Sequence, residues 1–106
     1  MDPRARYDEI AEDLAARNPE VALGQMMGMP ALKADGKMIG GFWEDAMVFK
    51  LPDETVRDQA LSLDGAQLFD PSGKGRPMKE WVQVPAAHAS AWPIFAGEAL
   101  RLRRAT

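Results

Sequence analysis

Polar and apolar residues alternate along the chain with two different periods. In "DPRARYDEIAEDLAARNP", Tyr7, Ile10, Ala11, Leu14 and Ala15 recur at the spacing of one helix face, with acidic residues between them. Asp2 is placed to cap this helix and Pro3 suits its first position. Asn18-Pro19 ends it, because the residue before proline avoids the α region. From Met29 to Pro52 the period shortens to that of strands. Asp35-Gly36 is a strong two-residue hairpin signal, since such a turn needs positive φ, and Glu44-Asp45 is a weaker one. With both loops two residues long, Ala34 faces Lys37 and Trp43 faces Ala46. Strict alternation then puts Met38, Gly40, Phe42, Met47 and Phe49 on one face, and Leu32, Ile39, Trp43 and Val48 on the other. Gly40 falls opposite Phe49, leaving room for its ring. Both faces are substantially apolar, and a sheet of that kind needs cover on each side.

The remaining segments complete an α+β pattern. "PDETVRDQALSLDG" predicts a second helix with acidic residues in its first turn and Gly65 just past its end. "AQLF" and "EWVQV" predict short strands, and a further strand is expected around Gly24 to Met27. "SAWPIFAGEALRLRR" predicts a third helix capped by Ser90, with Pro93 in the first turn and an apolar stripe of Trp92, Phe95, Ala96, Ala99 and Leu100. The order is α-β-β-β(-β)-α-β-β-α. Hairpins dominate, so the expectation is a curved antiparallel sheet of five or six strands packed by three helices, not a doubly wound parallel one.

Composition narrows the function classes. The chain has 106 residues, 46% apolar and 27% charged, which fits one globular domain. No apolar run approaches the ~20 residues that cross a bilayer, and the polar start "MDPRARYDEI" has no secretory h-region, so a cytoplasmic setting is expected. There is no cysteine, which removes disulfides and thiolate metal sites. The formal net charge of −3 argues against a dedicated duplex-DNA binder.

Candidate chemistry is sparse. "DPSGKGRPMKEW", Asp70 to Trp81, sets Lys74, Arg76 and Lys79 among glycines and prolines, a composition that could present amides and cations to an anion. It is not a P-loop, since Lys74 precedes Gly75 and no Ser or Thr follows a Gly-Lys pair. It also lacks the third glycine of a dinucleotide fingerprint. Lys33 and Lys50 could add charge to such a site. The alternative is a solvated turn whose cations offset Asp70 and Glu80. The internal methionines, Met26, Met27, Met29, Met38, Met47 and Met78, are read as core or interface packing, because no histidine or cysteine joins them as a soft-metal site. His88, the only histidine, stands in "PAAHAS" without a nucleophile signature and is read as a surface or capping residue. Arg101, Arg103 and Arg104 complement the dipole of the last helix. No catalytic constellation and no cofactor motif is found.

"GQMMGMPALKADGKMIGGFWEDAMVFKLP", then "LFDPSGKGRPMKEWVQVP" and a tryptophan-containing terminal helix, resembles the TfoX N-terminal domain family (TfoX/Sxy-like), which is itself related to the small YjbR-like domains. The resemblance runs from about Tyr7 to Leu100. It implies a bacterial α+β domain, a link to competence regulation in the founding members, and no catalytic residue set. The helix-hairpin domain of those regulators is not found in this sequence, which weakens a DNA-linked role. Three readings follow. The first is a non-catalytic regulatory or protein-interaction domain, expected as a homodimer with methionine or tryptophan in its interface. The second is a module for a small anionic ligand or nucleotide at the Lys74-Arg76-Lys79 loop. The third is a competence-type regulator associated with DNA. An enzyme has no positive motif.

Overall fold

The computed structural model describes residues 2–106. Helix α1 runs over Pro3–Arg17, with the Asp2 carboxylate accepting from Arg4 N–H at its start and Asn18 extended at its end. Four strands follow, β1 (Val21–Met26), β2 (Met29–Ala34), β3 (Lys37–Trp43) and β4 (Ala46–Lys50). Helix α2 (Glu54–Leu61), β5 (Gln67–Leu68), β6 (Trp81–Pro85), a 3-10 segment (Ala86–Ala91) and helix α3 (Trp92–Arg104) complete the chain. All pairings are antiparallel, in the order β1-β2-β3-β4-β6-β5. The result is an open, curved six-stranded sheet with helices, an α+β fold.

Three successive hairpins build the sheet, and each turns on two residues with positive φ: Met27 (53°) and Gly28 (78°), Asp35 (51°) and Gly36 (78°), Glu44 (48°) and Asp45 (60°). This geometry matches the right-handed twist of the flanking strands. The first strand is longer than the sequence suggests. It begins at Val21, and Met27 belongs to the turn.

The expected face assignment fails at three residues, and a single bulge accounts for all of them. Leu32 pairs with Gly40 but Lys33 pairs with Met38, so Ile39 is an extra residue on β3. A one-residue offset moves side chains to the opposite face. Leu32 and Ile39 therefore join Phe42, Met47, Phe49, Val82 and Val84 on the helix side, packed with Tyr7, Val56, Trp92, Phe95 and Leu100. Met38 moves the other way, to Trp43 and Val48. Gly40 does pair with Phe49, but the atoms nearest a Cβ placed there are Val48 O at 3.0 Å and Leu32 Cδ1 at 3.9 Å, so it is not the ring that requires glycine.

The second face is not covered by helices. Met29, Val48, Phe69 and Trp81 form its buried core, with Met38, Trp43 and Met78 half-buried beside them. Trp43 and Phe69 meet edge to face at 5.8 Å. The cover is the chain between β5 and β6. Phe69 N–H bonds Trp81 O, Met78 N–H bonds Phe69 O, and Trp81 N–H bonds Met78 O, drawing that segment onto the sheet. Ser90 does not cap α3. Residues Ala86–Ala91 are already wound as a 3-10 segment, so the helix continues from a preceding turn and Ala91 holds the cap position without a side-chain bond. Trp92 fixes this junction, its buried Nε1–H donating to Val84 O at 3.1 Å.

Candidate functional site

The loop from Asp70 to Arg76 winds around the Asp70 carboxylate. Oδ1 accepts from Ser72 N–H (3.1 Å), Ser72 Oγ–H (2.6 Å) and Gly73 N–H (3.2 Å). Oδ2 accepts from Gly75 N–H (3.0 Å) and Arg76 N–H (3.1 Å). Lys74 N–H is taken by Ser72 Oγ at 3.1 Å. Gly73 and Gly75 have φ of 66° and 74°, which lets successive amides turn inward. The amide nest suggested by the sequence exists, and its occupant is a carboxylate of the same chain. The bond from the Ser72 hydroxyl, followed by those from the Arg76, Gly75 and Gly73 amides, holds the Asp70 carboxyl below its ordinary range against an opposing effect of desolvation.

The candidate cations are dispersed. Lys74, Arg76 and Lys79 are exposed on the loop, and no ion pair involves them among the described residues. Arg76 meets Asp70 through its backbone, not through its guanidinium. Lys33 is on β2, with β3 and β4 between it and the strands that carry the loop, and lies near Gly24 on β1, where a Cβ would meet its Nζ at 3.8 Å. Lys50 ends β4, paired with Trp81. The loop cations, Lys33 and Lys50 do not form one cradle. His88 is half-buried, with Nε2 2.8 Å from Asp64 O, a contact that ties the 3-10 segment to the turn after α2. Of the methionines among the described residues, Met29 and Met47 are buried, Met38 and Met78 are half-buried, and Met26 and Met27 are exposed.

The feature that sequence reasoning missed is the free edge at β1. Val21 is buried and the other five residues of the strand are exposed. Leu23 (48% exposed), Met26 (37%) and Met27 (66%) are three of the four large apolar side chains left in solvent among the described residues. Met26 and Met29 flank a two-residue turn, so they make the closely spaced pair of ladder bonds. The alternation then gives Gly24 and Ala22 to β2, and the bond from Asp35 N–H to Glu20 O (3.1 Å) continues the series. The backbone N–H and C=O of Leu23 and Gln25 therefore point away from the sheet. The base of the strand is anchored. Arg104 donates from Nε to Glu20 (2.6 Å) and from Nη2 to Asn18 (2.8 Å), which lowers the Glu20 pKa and raises that of Arg104. The signal for this edge in the sequence is "VALGQMMG", a run without a charge or proline ending in a turn glycine.

Comparison with family models, curated proteins and solved structures found no match. The likeness to TfoX N-terminal domains rests on the quoted motifs alone.

Proposed function

We propose that this chain is a non-catalytic interaction domain that works as a homodimer, joined edge to edge through β1. The observation that carries the reading is the composition of that edge. Sheets guard free edges with lysine, proline, bulges or very short strands. The opposite edge does so, since β5 has two residues and leads into the covering loop. Strand β1 has six residues in unbroken register with β2 and none of these guards.

A second copy is the occupant that the strand itself suits. Two antiparallel copies related by a two-fold axis place the outward amides and carbonyls of Leu23 and Gln25 against the same groups of the partner. The Leu23, Met26 and Met27 side chains then flank the junction and lose water together. The sequence argued for a dimer from two uncovered apolar faces. Phe69, Met78 and Trp81, packed on the second face, remove that argument, and the exposed methionines move the interface to the edge. The TfoX-like motifs and the lack of a catalytic constellation support a regulatory rather than an enzymatic role.

Sedimentation at micromolar concentration tests the reading. The expected result is a dimer, converted to monomer by Leu23→Lys and by Gln25→Pro, with folded-state circular dichroism retained. Gln25 N–H makes no bond to β2, so proline removes only the outward donor. A wild-type chain that sediments as a monomer, or a dimer indifferent to both substitutions, refutes it.

A further inference from the structure

A cleft of about 360 Å³ opens where the end of α3 meets the ends of β3 and β4. Its apolar wall is Met38, Ile39, Pro52, Ala99 and Leu102, and its polar members are Lys37, Lys50, Glu80, Arg103 and Thr106. Three cations from three elements thus converge on one concavity with one side-chain carboxylate. None of the three belongs to an ion pair among the described residues. The contrast within α3 is informative. Arg101 is paired with Glu98 and Arg104 with Glu20, while Arg103 between them is left without a carboxylate. Arg103 Nη1 donates to Thr106 Oγ1 at 3.1 Å, and its buried Nε–H has no acceptor. A buried donor without a partner is costly, and it marks Arg103 as a guanidinium whose donor capacity is not used up within the chain. The helix dipole accounts for a cation in this turn, but not for two lysines brought to it from the sheet. The carbonyls of Arg101 and Leu102 already receive Ala105 N–H, so the helix end is satisfied without them. The walls are fixed. Arg57 Nη1 holds Leu51 O (3.1 Å) and Pro52 O (3.4 Å), and Leu51 N–H holds Glu80 O at 2.7 Å.

We propose that this cleft binds a small organic anion, one with an oxyanion head on a compact apolar body. The head meets the Arg103 guanidinium, whose planar edge suits two oxygens, and the ammonium groups of Lys37 and Lys50. The body lies against Ile39, Leu102 and the methionine. The volume falls near the lower end of the ~300–1,000 Å³ usual for ligand sites. This site is distinct from the basic loop, since Lys74, Arg76 and Lys79 do not line it. It is also independent of the β1 edge.

Calorimetry on the full chain with phenyl phosphate and benzoate tests the proposal, with inorganic phosphate and benzyl alcohol as probes of head and body alone. Saturable binding of phenyl phosphate or benzoate is expected, at least tenfold tighter than either half-probe, and the better of the two identifies the head. Arg103→Gln should weaken it at least tenfold. Lys37→Gln with Lys50→Gln, both at exposed positions, should do the same and keeps the test sound if the Arg103 variant folds poorly. Lys74→Gln with Arg76→Gln, matched in charge, should leave it unchanged. No binding of either organic anion at 10 mM (roughly the limit of useful affinity) overturns the proposal. So does equal loss in the loop variant, which would mean a general charge effect, and so does inorganic phosphate binding as tightly as phenyl phosphate.

Discussion

Gly41→Ala and Gly97→Ala should change stability in opposite directions. Gly41 is on β3, opposite Val48, on the face covered by the loop. A methyl group there would sit 2.6 Å from Met29 Cε, 2.7 Å from Pro30 O and 3.1 Å from Met38 Cε. Attractive contact between carbons begins near ~3.5 Å, so all three positions are repulsive. The two methionine ends can swing aside. The Pro30 carbonyl cannot do so cheaply, because it belongs to β2 between two paired strands. Overpacking of this kind costs about 1–3 kcal/mol. Gly97 is exposed on α3 with no atom within 4 Å of its Cβ position, so alanine there gains about 0.5–1 kcal/mol of helix propensity. For a domain of this size about 1 kcal/mol moves Tm by roughly 4–8 °C. Gly41→Ala should therefore lower Tm by about 5–20 °C and Gly97→Ala should raise it by roughly 2–8 °C. Urea unfolding should show shifted midpoints with unchanged slopes, the mark of a change in stability without a change in the surface exposed on unfolding. Gly41→Ala at wild-type stability, with Gly97→Ala behaving as expected, would refute the argument by showing that β2 moves the Pro30 carbonyl aside at little cost.

The Tyr7 hydroxyl is buried without a partner, and burial pushes its pKa up to about 12. The folded state holds that proton between about pH 10 and 12 where the unfolded state releases it, so wild-type stability should fall across this window, and Tyr7→Phe, followed by thermal melts, should remove the decline and cost nothing at pH 7. Asp70→Ala should open the loop and speed tryptic cleavage after Lys74, the bond after Arg76 being protected by Pro77. The same opening should appear in the wild type as acid protonates Asp70, because a depressed carboxyl pKa contributes stability above its ordinary 3.8 and loses it as pH falls through the folded value. Arg76→Glu with Lys79→Glu leaves the Asp70 cage intact and should shift stability by less than about 1 kcal/mol. Glu44→Asn with Asp45→Gly places better residues at two positive-φ positions and should raise stability by roughly 0.5–1 kcal/mol in denaturant titrations.

What could be seen in the sequence depended on whether the chemistry was local. Asp35-Gly36 announces its hairpin because both residues tolerate positive φ. Met27-Gly28 makes the same turn, but methionine carries no such signal, so β1 is expected only loosely around Gly24. Helix α1 is evident because its capping aspartate, proline and apolar stripe lie within one segment. The bulge at Ile39 depends on how β2 meets β3, and nothing at Ile39 itself marks it. That single residue decides whether Leu32 or Met38 reaches the helices. The Asp-x-Ser-Gly run at Asp70 does signal a local turn, yet the convergence of its five donors is a three-dimensional fact. Lys37, Lys50 and Arg103 are separated along the chain by strands and two helices, and only the fold brings them together.

The same separation bears on where an anion can be recognised. In the sequence, the amides and cations of the basic loop stand together as the candidate phosphate cradle. In the fold the amides serve Asp70, and the loop is anchored at its base by Phe69, Met78 and Trp81, which pack on the second sheet face. An external phosphate would have to displace a carboxylate tethered beside the same amides, which competes at a high effective concentration. Lys74, Arg76 and Lys79 are then left to act as side chains in open water, where salt screens them and each contributes little. In the cleft the cations stand beside apolar walls, and one donor has no acceptor. An opposite charge placed against those walls is less hydrated and meets an Arg103 guanidinium already fixed by Thr106, which strengthens that contact. The loop that looks most like a binding motif is therefore better explained as a self-satisfied turn joining Phe69 to Met78 and Trp81, which cover the second sheet face. Its structural role leaves the α3 end of the sheet as the surface equipped for an anion.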